Sequence, residues 1–84
     1  MKAKLARKLL EVGGRVQGVG FRPFVYNLAS QYELTGWVKN TRQGVQIDIE
    51  GRKTDINKFI TKFKAELPPL AKVDQITIQD KALQ

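Results

Sequence analysis

Two hydrophobic periods alternate along the chain, and their order limits the possible folds more than any other feature of the sequence. The two-residue period is clearest at Val45, Ile47 and Ile49, which are separated by polar residues as in a strand with one buried face. A helical spacing of apolar residues recurs in two other segments. The periods change in the order strand, helix, strand, strand, helix, strand, so the sequence predicts a mixed α+β domain.

The first half of the chain predicts a strand, a glycine-rich turn and a helix. The strand extends from Leu9 to Val16, with apolar residues alternating up to the glycines. Pro23 follows where a first helical residue would lie, since its fixed φ and missing N–H suit that position. Leu34-Thr-Gly36 is predicted to end this helix, whose apolar residues recur at helical spacing: Phe24, Val25, Leu28, Ala29 and Tyr32.

The second half predicts a hairpin, a helix and a last strand. Gly36–Asn40 is predicted to begin the hairpin, and Thr41–Gly44 to form its turn. Thr54 is predicted to cap the helix, and Asp55 suits its first turn. The apolar stripe of this helix ends before Pro68-Pro69 and comprises Ile56, Phe59, Ile60, Phe63 and Leu67. The last strand contains Val73, Ile76 and Ile78.

This order of elements is the split βαβ, ferredoxin-like arrangement. It predicts a sandwich in which an antiparallel four-stranded sheet carries both helices on one face. The 84 residues suffice for one such domain, so we expect a single domain over residues 1–84. No stretch approaches the roughly 18 apolar residues of a membrane helix, so none is predicted.

The composition removes several kinds of chemistry. The chain has no cysteine and no histidine, which excludes disulfides, zinc–thiolate sites and histidine as a general base. The formal charge of +7 favours an anionic partner. The cytoplasm is the expected location. Four basic residues near the start are predicted to form a solvated, frayed end: Lys2, Lys4, Arg7 and Lys8.

The glycine-rich turn before the first helix is the strongest candidate site. Gly18 and Gly20 let the backbone turn tightly and approach a ligand closely. Successive backbone N–H groups in such a turn, together with a helix N-terminus, attract anions. Arg22 at the junction can offer a planar fork of donors to a phosphoryl group. Glycines also precede helices for purely structural reasons, so the pattern alone leaves both interpretations open.

Two segments resemble the sequence motifs of acylphosphatases. Val12-Gly-Gly-Arg-Val-Gln-Gly-Val-Gly-Phe-Arg22 is similar to the first motif. Gly36-Trp-Val-Lys-Asn40, followed by Gly44 and Gly51, is similar to the second. The acylphosphatase fold is itself ferredoxin-like. The resemblance implies an enzyme that hydrolyses the carboxyl–phosphate bond of small acyl phosphates.

The resemblance also implies roles for individual residues. Arg22 is expected to hold the phosphoryl group together with the loop amides, and Asn40 to orient the attacking water. By itself, an asparagine at a strand end is more typical of a turn. Neither a metal nor another cofactor is expected. The expected phosphate-binding loop comprises Arg15, Val16, Gln17, Gly18, Val19, Gly20, Phe21 and Arg22.

Several neighbouring side chains are expected to support this site or the core. Phe21 is predicted to anchor the loop in the core, and Gln17 to hydrogen-bond within the loop. Arg15 and Lys39 are predicted to be exposed and to adjust the local field. The remaining two, Tyr26 and Trp37, are predicted to be core or edge aromatics rather than substrate contacts.

Other features resemble one branch of this family. Arg22-Pro-Phe-Val25, Glu66-Leu-Pro-Pro-Leu-Ala71 and a hairpin turn one residue shorter than usual are similar to the N-terminal acylphosphatase domain of hydrogenase-maturation carbamoyltransferases. This resemblance implies an alternative function, the handling of carbamoyl phosphate within a larger protein. It also implies a further strand and a zinc-binding segment beyond Gln84. The chain is therefore expected to be an excised domain or a shortened relative.

A nucleic-acid-binding module is a third hypothesis, because the same fold carries RNA-binding domains and the charge is positive. Such domains stack bases on aromatic residues of their central strands. The predicted central strands carry Val12, Val16, Ile47 and Ile49 instead. Nucleic acid is therefore not expected as a partner, and the lack of a long apolar stretch means that a membrane is not expected either. The expected partners are a small acyl phosphate and inorganic phosphate, with the chain monomeric unless it belongs to a larger maturation protein.

Overall fold

The computed structural model describes residues 4–84 and has the predicted order of elements. Four strands and two helices follow one another as β1 (Leu5–Arg15), α1 (Phe21–Gln31), β2 (Thr35–Asn40), β3 (Gly44–Arg52), α2 (Lys53–Ala65) and β4 (Lys72–Lys81). The strands form a single antiparallel sheet in the order β2-β3-β1-β4. The predicted βαββαβ sandwich is therefore confirmed. Within the described residues, neither helix is long and apolar enough to cross a membrane.

Strand register places the apolar residues of the sheet on the face that the helices cover. Leu10 of β1 lies opposite Ile47 of β3 on one side and Ile78 of β4 on the other. Directly paired residues point to the same face, and side chains alternate along a strand. Val12, two residues after Leu10, and its partners Val45 and Ile76 therefore share the face of Leu10. The buried residues of this face join those of both helices in one hydrophobic cluster. The helices thus lie on one side of the sheet, and within residues 4–84 no helix covers the other side.

Phenylalanines form the centre of the core between the helices. Phe21 of α1 packs edge-on against Phe63 of α2, with ring centroids 5.7 Å apart. Phe63 in turn stacks on Phe59 at 5.8 Å. All three side chains are almost completely buried, which stabilises the fold by about 1.5–3 kcal/mol for each. The predicted anchoring of Phe21 in the core is confirmed.

The basic start of the chain is more ordered than predicted. β1 begins at Leu5 rather than at Leu9, because its first residues pair with the end of β3. Arg7 Nη2 lies 2.6 Å from an Asp48 oxygen, and Lys8 Nζ lies 2.6 Å from Asp80. The predicted frayed end is therefore wrong for Arg7 and Lys8. Lys4 lies just before β1, and Lys2 lies outside the described residues.

Both helices begin at other residues than predicted. α1 starts at Phe21, so Pro23 is its third residue and not its first. Proline fits there as well, since the first turn of a helix has no use for its N–H. α2 starts at Lys53 after Arg52, so the predicted cap at Thr54 is wrong. The Lys53 N–H instead donates to the Lys4 carbonyl at 2.8 Å, a contact between distant segments.

Candidate anion-binding site

The loop between β1 and α1 has the left-handed backbone that its glycines predict. Gly18 has a φ of 74° and Gly20 a φ of 78°. L-residues with a Cβ avoid this region, and glycine adopts it at little steric cost. Gly20 is the N-cap of α1 and supplies no side-chain cap to the helix. The backbone amides in the first turn of α1 therefore have no side-chain cap.

Backbone amides around this turn are free to bind a ligand. Within residues 4–84, no backbone carbonyl accepts a hydrogen bond from the amides of residues 17–22. The first amide after them that is bonded belongs to Phe24, which donates to the Gly20 carbonyl at 3.2 Å. A Cβ placed on Gly18 or Gly20 would have no heavy atom within 4 Å, so both glycines border open space. Consecutive free amides at a helix N-terminus form a concavity that suits an anion.

Arg22 directly follows these free amides along the chain and carries a full positive charge. It is the second residue of α1 and is exposed, while the neighbouring Phe21 is buried. None of the ion pairs between described residues involves Arg22. Its guanidinium can therefore offer its donors to a phosphoryl group, for which its planar fork is well shaped.

Asn40 lies at the same end of the sheet as the loop. It is the last residue of β2 and lies opposite Val45, which is buried under the helices. Directly paired residues point to the same face, so the Asn40 side chain is on the helix side of the sheet, where α1 begins. Arg22 and Asn40 are thus placed on adjoining segments at one end of the molecule.

Hydrogen bonds join the loop to the turn that follows Asn40. Gln17 Nε2 donates to the Thr41 carbonyl at 2.8 Å and to the Gly44 carbonyl at 3.0 Å. From β1, the Gly14 N–H donates to the Gln43 carbonyl at 2.9 Å. A Cβ on Gly44 would overlap the Val12 carbonyl oxygen, so only glycine permits this close approach. The prediction that Gln17 bonds within its own loop is wrong, because its partners belong to the β2–β3 turn.

The spacing of the sequence could not have revealed the partners of Gln17. They lie 24 and 27 residues further along the chain, and they are main-chain carbonyls that carry no residue signature. Only the register between β1 and β3 places them beside the loop. Thr41 therefore joins the site as a residue that sequence reasoning missed.

The other predicted neighbours lie around or away from the loop. Arg15 ends β1 and is exposed. Lys39 Nζ lies 4.9 Å over the Trp37 ring, and both residues pair with β3 residues of the helix-free face. Trp37 is an edge-strand aromatic, as predicted. Tyr26 is 69% exposed on α1, so its placement in the core or at a sheet edge is wrong.

A polar groove on the helix-free face is less suited to an anion than the loop. It has a volume of about 390 Å³ and is lined by amide and hydroxyl side chains, with Glu11 as its charged residue. Glu11 accepts a hydrogen bond from Gln46 at 3.0 Å, and its negative charge repels phosphate. Within residues 4–84, no three His, Cys, Asp or Glu residues cluster as metal ligands would.

The fold and this loop define a small α+β sandwich with the features of an anion site before its first helix. Comparison with protein families matches residues 8–84 to acylphosphatase. A probable carbamoyltransferase HypF of Methanocaldococcus jannaschii is 49% identical over 71 residues, which are 84% of this chain and 9% of that protein. An acylphosphatase of Syntrophotalea carbinolica is 42% identical over 82 residues, which cover 96% of this chain and 88% of that protein.

A solved structure of a HypF protein is also similar to this chain. Full-length HypF in a phosphate- and nucleotide-bound form matches with a TM-score of 0.96 and 37% identity, over 100% of this chain and 11% of that one. The chain belongs to the acylphosphatase family. It spans only 9% and 11% of the length of these two HypF proteins, and 88% of the length of the Syntrophotalea carbinolica acylphosphatase.

Proposed function

We propose that the chain hydrolyses the carboxyl–phosphate bond of small acyl phosphates, releasing a carboxylate and inorganic phosphate. The observation that carries the proposal is the row of free amides at residues 17–22, which continues into the exposed Arg22. Family membership agrees with it, since free-standing relatives of similar length are named acylphosphatases.

The phosphoryl group would lie in the loop, with its equatorial oxygens on the amides and on Arg22. Charge spreads over these oxygens in the transition state, so donors already aimed at them lower the barrier. Asn40 would orient a water molecule in line with the bond that breaks. The water oxygen forms a bond to phosphorus as the bond from phosphorus to the acyl oxygen breaks, and the carboxylate leaves with that electron pair. The water protons remain with the phosphate product and solvent.

A chain without histidine or cysteine can perform this reaction. A carboxylate is a good leaving group, so the reaction needs little help from a general acid. Positioning and charge stabilisation can then supply most of the rate enhancement. We therefore propose that the reaction needs no metal, because Arg22 and the amides supply the positive charge.

Hydrolysis of acetyl phosphate by the 84-residue chain tests this proposal. Release of phosphate would be followed in the presence and absence of a chelator such as EDTA. We expect saturable turnover at the same rate in both samples. Absence of turnover above the spontaneous rate would refute the hydrolytic function, and loss of turnover with EDTA would refute metal independence.

Carbamoyl phosphate is a second candidate substrate. The observation that favours it is the close match of this chain to part of full-length HypF, with a TM-score of 0.96. We propose that the loop holds carbamoyl phosphate if the chain is part of such a protein. The ratio of kcat/KM for carbamoyl phosphate to that for acetyl phosphate discriminates the candidates. A ratio well above one favours the maturation protein, and a ratio at or below one favours a general acylphosphatase.

Nucleic acid is not part of the proposal. The central strands β1 and β3 contain no aromatic residue on which a base could stack. Their helix-free face instead carries the carboxylates of Glu11, Asp48 and Glu50.

We propose that the protein acts as a cytoplasmic monomer. Fluorescence microscopy of the tagged chain and light scattering would check location and mass.

A further inference from the structure

Gln17 joins two segments that carry different parts of the proposed chemistry. Its Nε2 donates to the carbonyl oxygens of Thr41 and Gly44, at 2.8 Å and 3.0 Å. Both partners are acceptors, so the nitrogen of the carboxamide must face them, because its oxygen has no proton to donate. The side chain is therefore held in one orientation.

The two carbonyls that Gln17 contacts also close the β2–β3 turn. The Thr41 N–H donates to the Gly44 carbonyl at 2.8 Å. The Gly44 N–H donates to the Thr41 carbonyl at 3.4 Å and to Thr41 Oγ1 at 3.1 Å. The turn is thus a compact unit, and Asn40 directly precedes it in the chain. Any shift of this unit relative to the loop moves the Asn40 backbone with it.

Arg22 and the free amides lie on the other side of this connection. They belong to the same short segment as Gln17, residues 17–22, and move with the loop. Together with the pairing of β1 with β3, the bonds of Gln17 therefore set the separation between the group that binds phosphate and the group that orients water. We propose that Gln17 is a positioning residue that sets the in-line geometry of the attacking water. This inference rests on the proposed hydrolytic function.

Loss of the connection should affect turnover far more than binding. A misplacement of about 1 Å between reacting groups can cost on the order of a hundredfold in rate. In Gln17→Leu the amides and Arg22 are unchanged, so we expect the affinity for inorganic phosphate to change less than about twofold. We expect kcat for acetyl phosphate to fall about 10- to 100-fold.

A double-mutant cycle with Asn40 separates positioning from a merely structural role. If Gln17 acts through Asn40, Gln17→Leu should have little further effect on kcat in the Asn40→Ala background. A general loosening of the fold would instead lower phosphate affinity and multiply with the Asn40→Ala effect. Gln43→Leu is the matched control, because Gln43 is exposed in the same turn and the substitution is the same.

The experiment measures kcat for acetyl phosphate and the inhibition constant of phosphate for the wild type, the single variants and the double variant. If the wild type does not turn over, the proposed function fails before the inference is tested. With an active wild type, an unchanged kcat in Gln17→Leu, or fully multiplicative effects in the double variant, would overturn the role of Gln17. If Gln17→Leu does not fold, Gln17→Asn, which is one methylene shorter, gives the same comparison.

Discussion

At the scale of single residues, Arg22 and Asn40 contribute to the proposed reaction in different ways. Arg22 lies next to the free amides at the start of α1 and carries a charge that attracts phosphate. Asn40 ends β2 and is uncharged, so its contribution to anion binding is small. Substitutions at the two residues should therefore separate binding from turnover.

Asn40→Ala should retain phosphate binding and lose most turnover. The loop amides and Arg22 are unchanged, whereas the water is no longer oriented, so we expect kcat to fall by about a hundredfold or more. Acetyl phosphate kinetics and competitive inhibition by phosphate measure the two effects. Asn57→Ala, at an exposed asparagine of α2, is the control. Equal losses of kcat and phosphate affinity in Asn40→Ala would argue against a role in orienting water.

The sequence predicted some of these residues and missed others for a physical reason. The glycine spacing and the family motifs pointed to Arg22 and Asn40, because those signals are local. The contacts of Gln17 and the start of α2 depend on tertiary structure. The bond from the Lys53 N–H to the Lys4 carbonyl marks the start of the helix, so no side-chain cap at Thr54 was needed.

At the scale of the elements, the glycines of the loop and of the strands are required for different reasons. Gly18 borders open space in a left-handed conformation, so Gly18→Ala should cost about 1–2 kcal/mol and leave the fold intact. Gly36 lies in β2, where a Cβ would overlap the Asp48 carbonyl oxygen of β3. We expect Gly36→Ala to cost about 4 kcal/mol or more, because the strands must separate.

Urea unfolding measures this difference between the two glycines. Gly18→Ala should unfold cooperatively at a slightly lower midpoint and bind phosphate more weakly, while Gly36→Ala should be largely unfolded in buffer. Similar midpoints for the two variants would show that β2 and β3 do not approach as described.

The contact between β1 and β4 should make stability depend on pH at low pH. A hydrogen bond from Lys8 lowers the pKa of Asp80 below its ordinary value of 3.8. The folded state therefore holds the Asp80 proton less tightly than the unfolded state. The contribution of the Lys8–Asp80 contact to the free energy of unfolding is complete above pH 3.8. It is lost as the pH falls through the lower pKa that Asp80 has in the folded state.

Asp80→Asn should consequently lower the Tm at pH 7 and have a smaller effect at pH values below the folded pKa of Asp80. Thermal unfolding followed by circular dichroism over a series of pH values measures this difference. A Tm difference between variant and wild type that is constant with pH would contradict the role of the Lys8–Asp80 pair.

Hydrophobic periods predicted the elements more accurately than their ends. The alternation of Val45, Ile47 and Ile49 marked β3 because a buried face imposes it directly. The first residues of β1 lack such a signal, because Arg7 pairs with Asp48 on the helix-free face and Lys8 with Asp80 at the edge. The positive charges of these residues suggested a solvated end. The carboxylates that pair with them are distant in sequence, so the pairs could not be predicted.

At the scale of the whole molecule, both helices and the sheet share one hydrophobic cluster. The radius of gyration of 12.3 Å is close to the roughly 12 Å of a compact chain of this size. We therefore propose that residues 1–84 fold as one unit and unfold in a single two-state transition. Trp37, the sole tryptophan, reports on β2, whereas far-ultraviolet circular dichroism reports on all elements. Coincident urea midpoints from the two signals are expected, and separate midpoints would contradict a single unit.

The order of elements also fixed what the whole molecule could be, since few folds have the order βαββαβ. It could not show how closely the loop and the hairpin turn approach each other. That approach depends on the pairing of β1 with β3 and on the small size of Gly44 beside the Val12 carbonyl. The separation of Arg22 from Asn40 is thus a property of the assembled sheet.

The kinetics of Arg22→Ala with acetyl phosphate, against Arg52→Ala, test the central claim most directly. Arg52 is exposed at the opposite end of β3, so both variants lose one positive charge and only one loses it at the loop. We predict that Arg22→Ala lowers kcat/KM by about a thousandfold or more and abolishes inhibition by phosphate, while Arg52→Ala stays within about twofold of the wild type. Hydrolysis of acetyl phosphate by Arg22→Ala at the wild-type rate would contradict the assignment of the loop as the phosphate site.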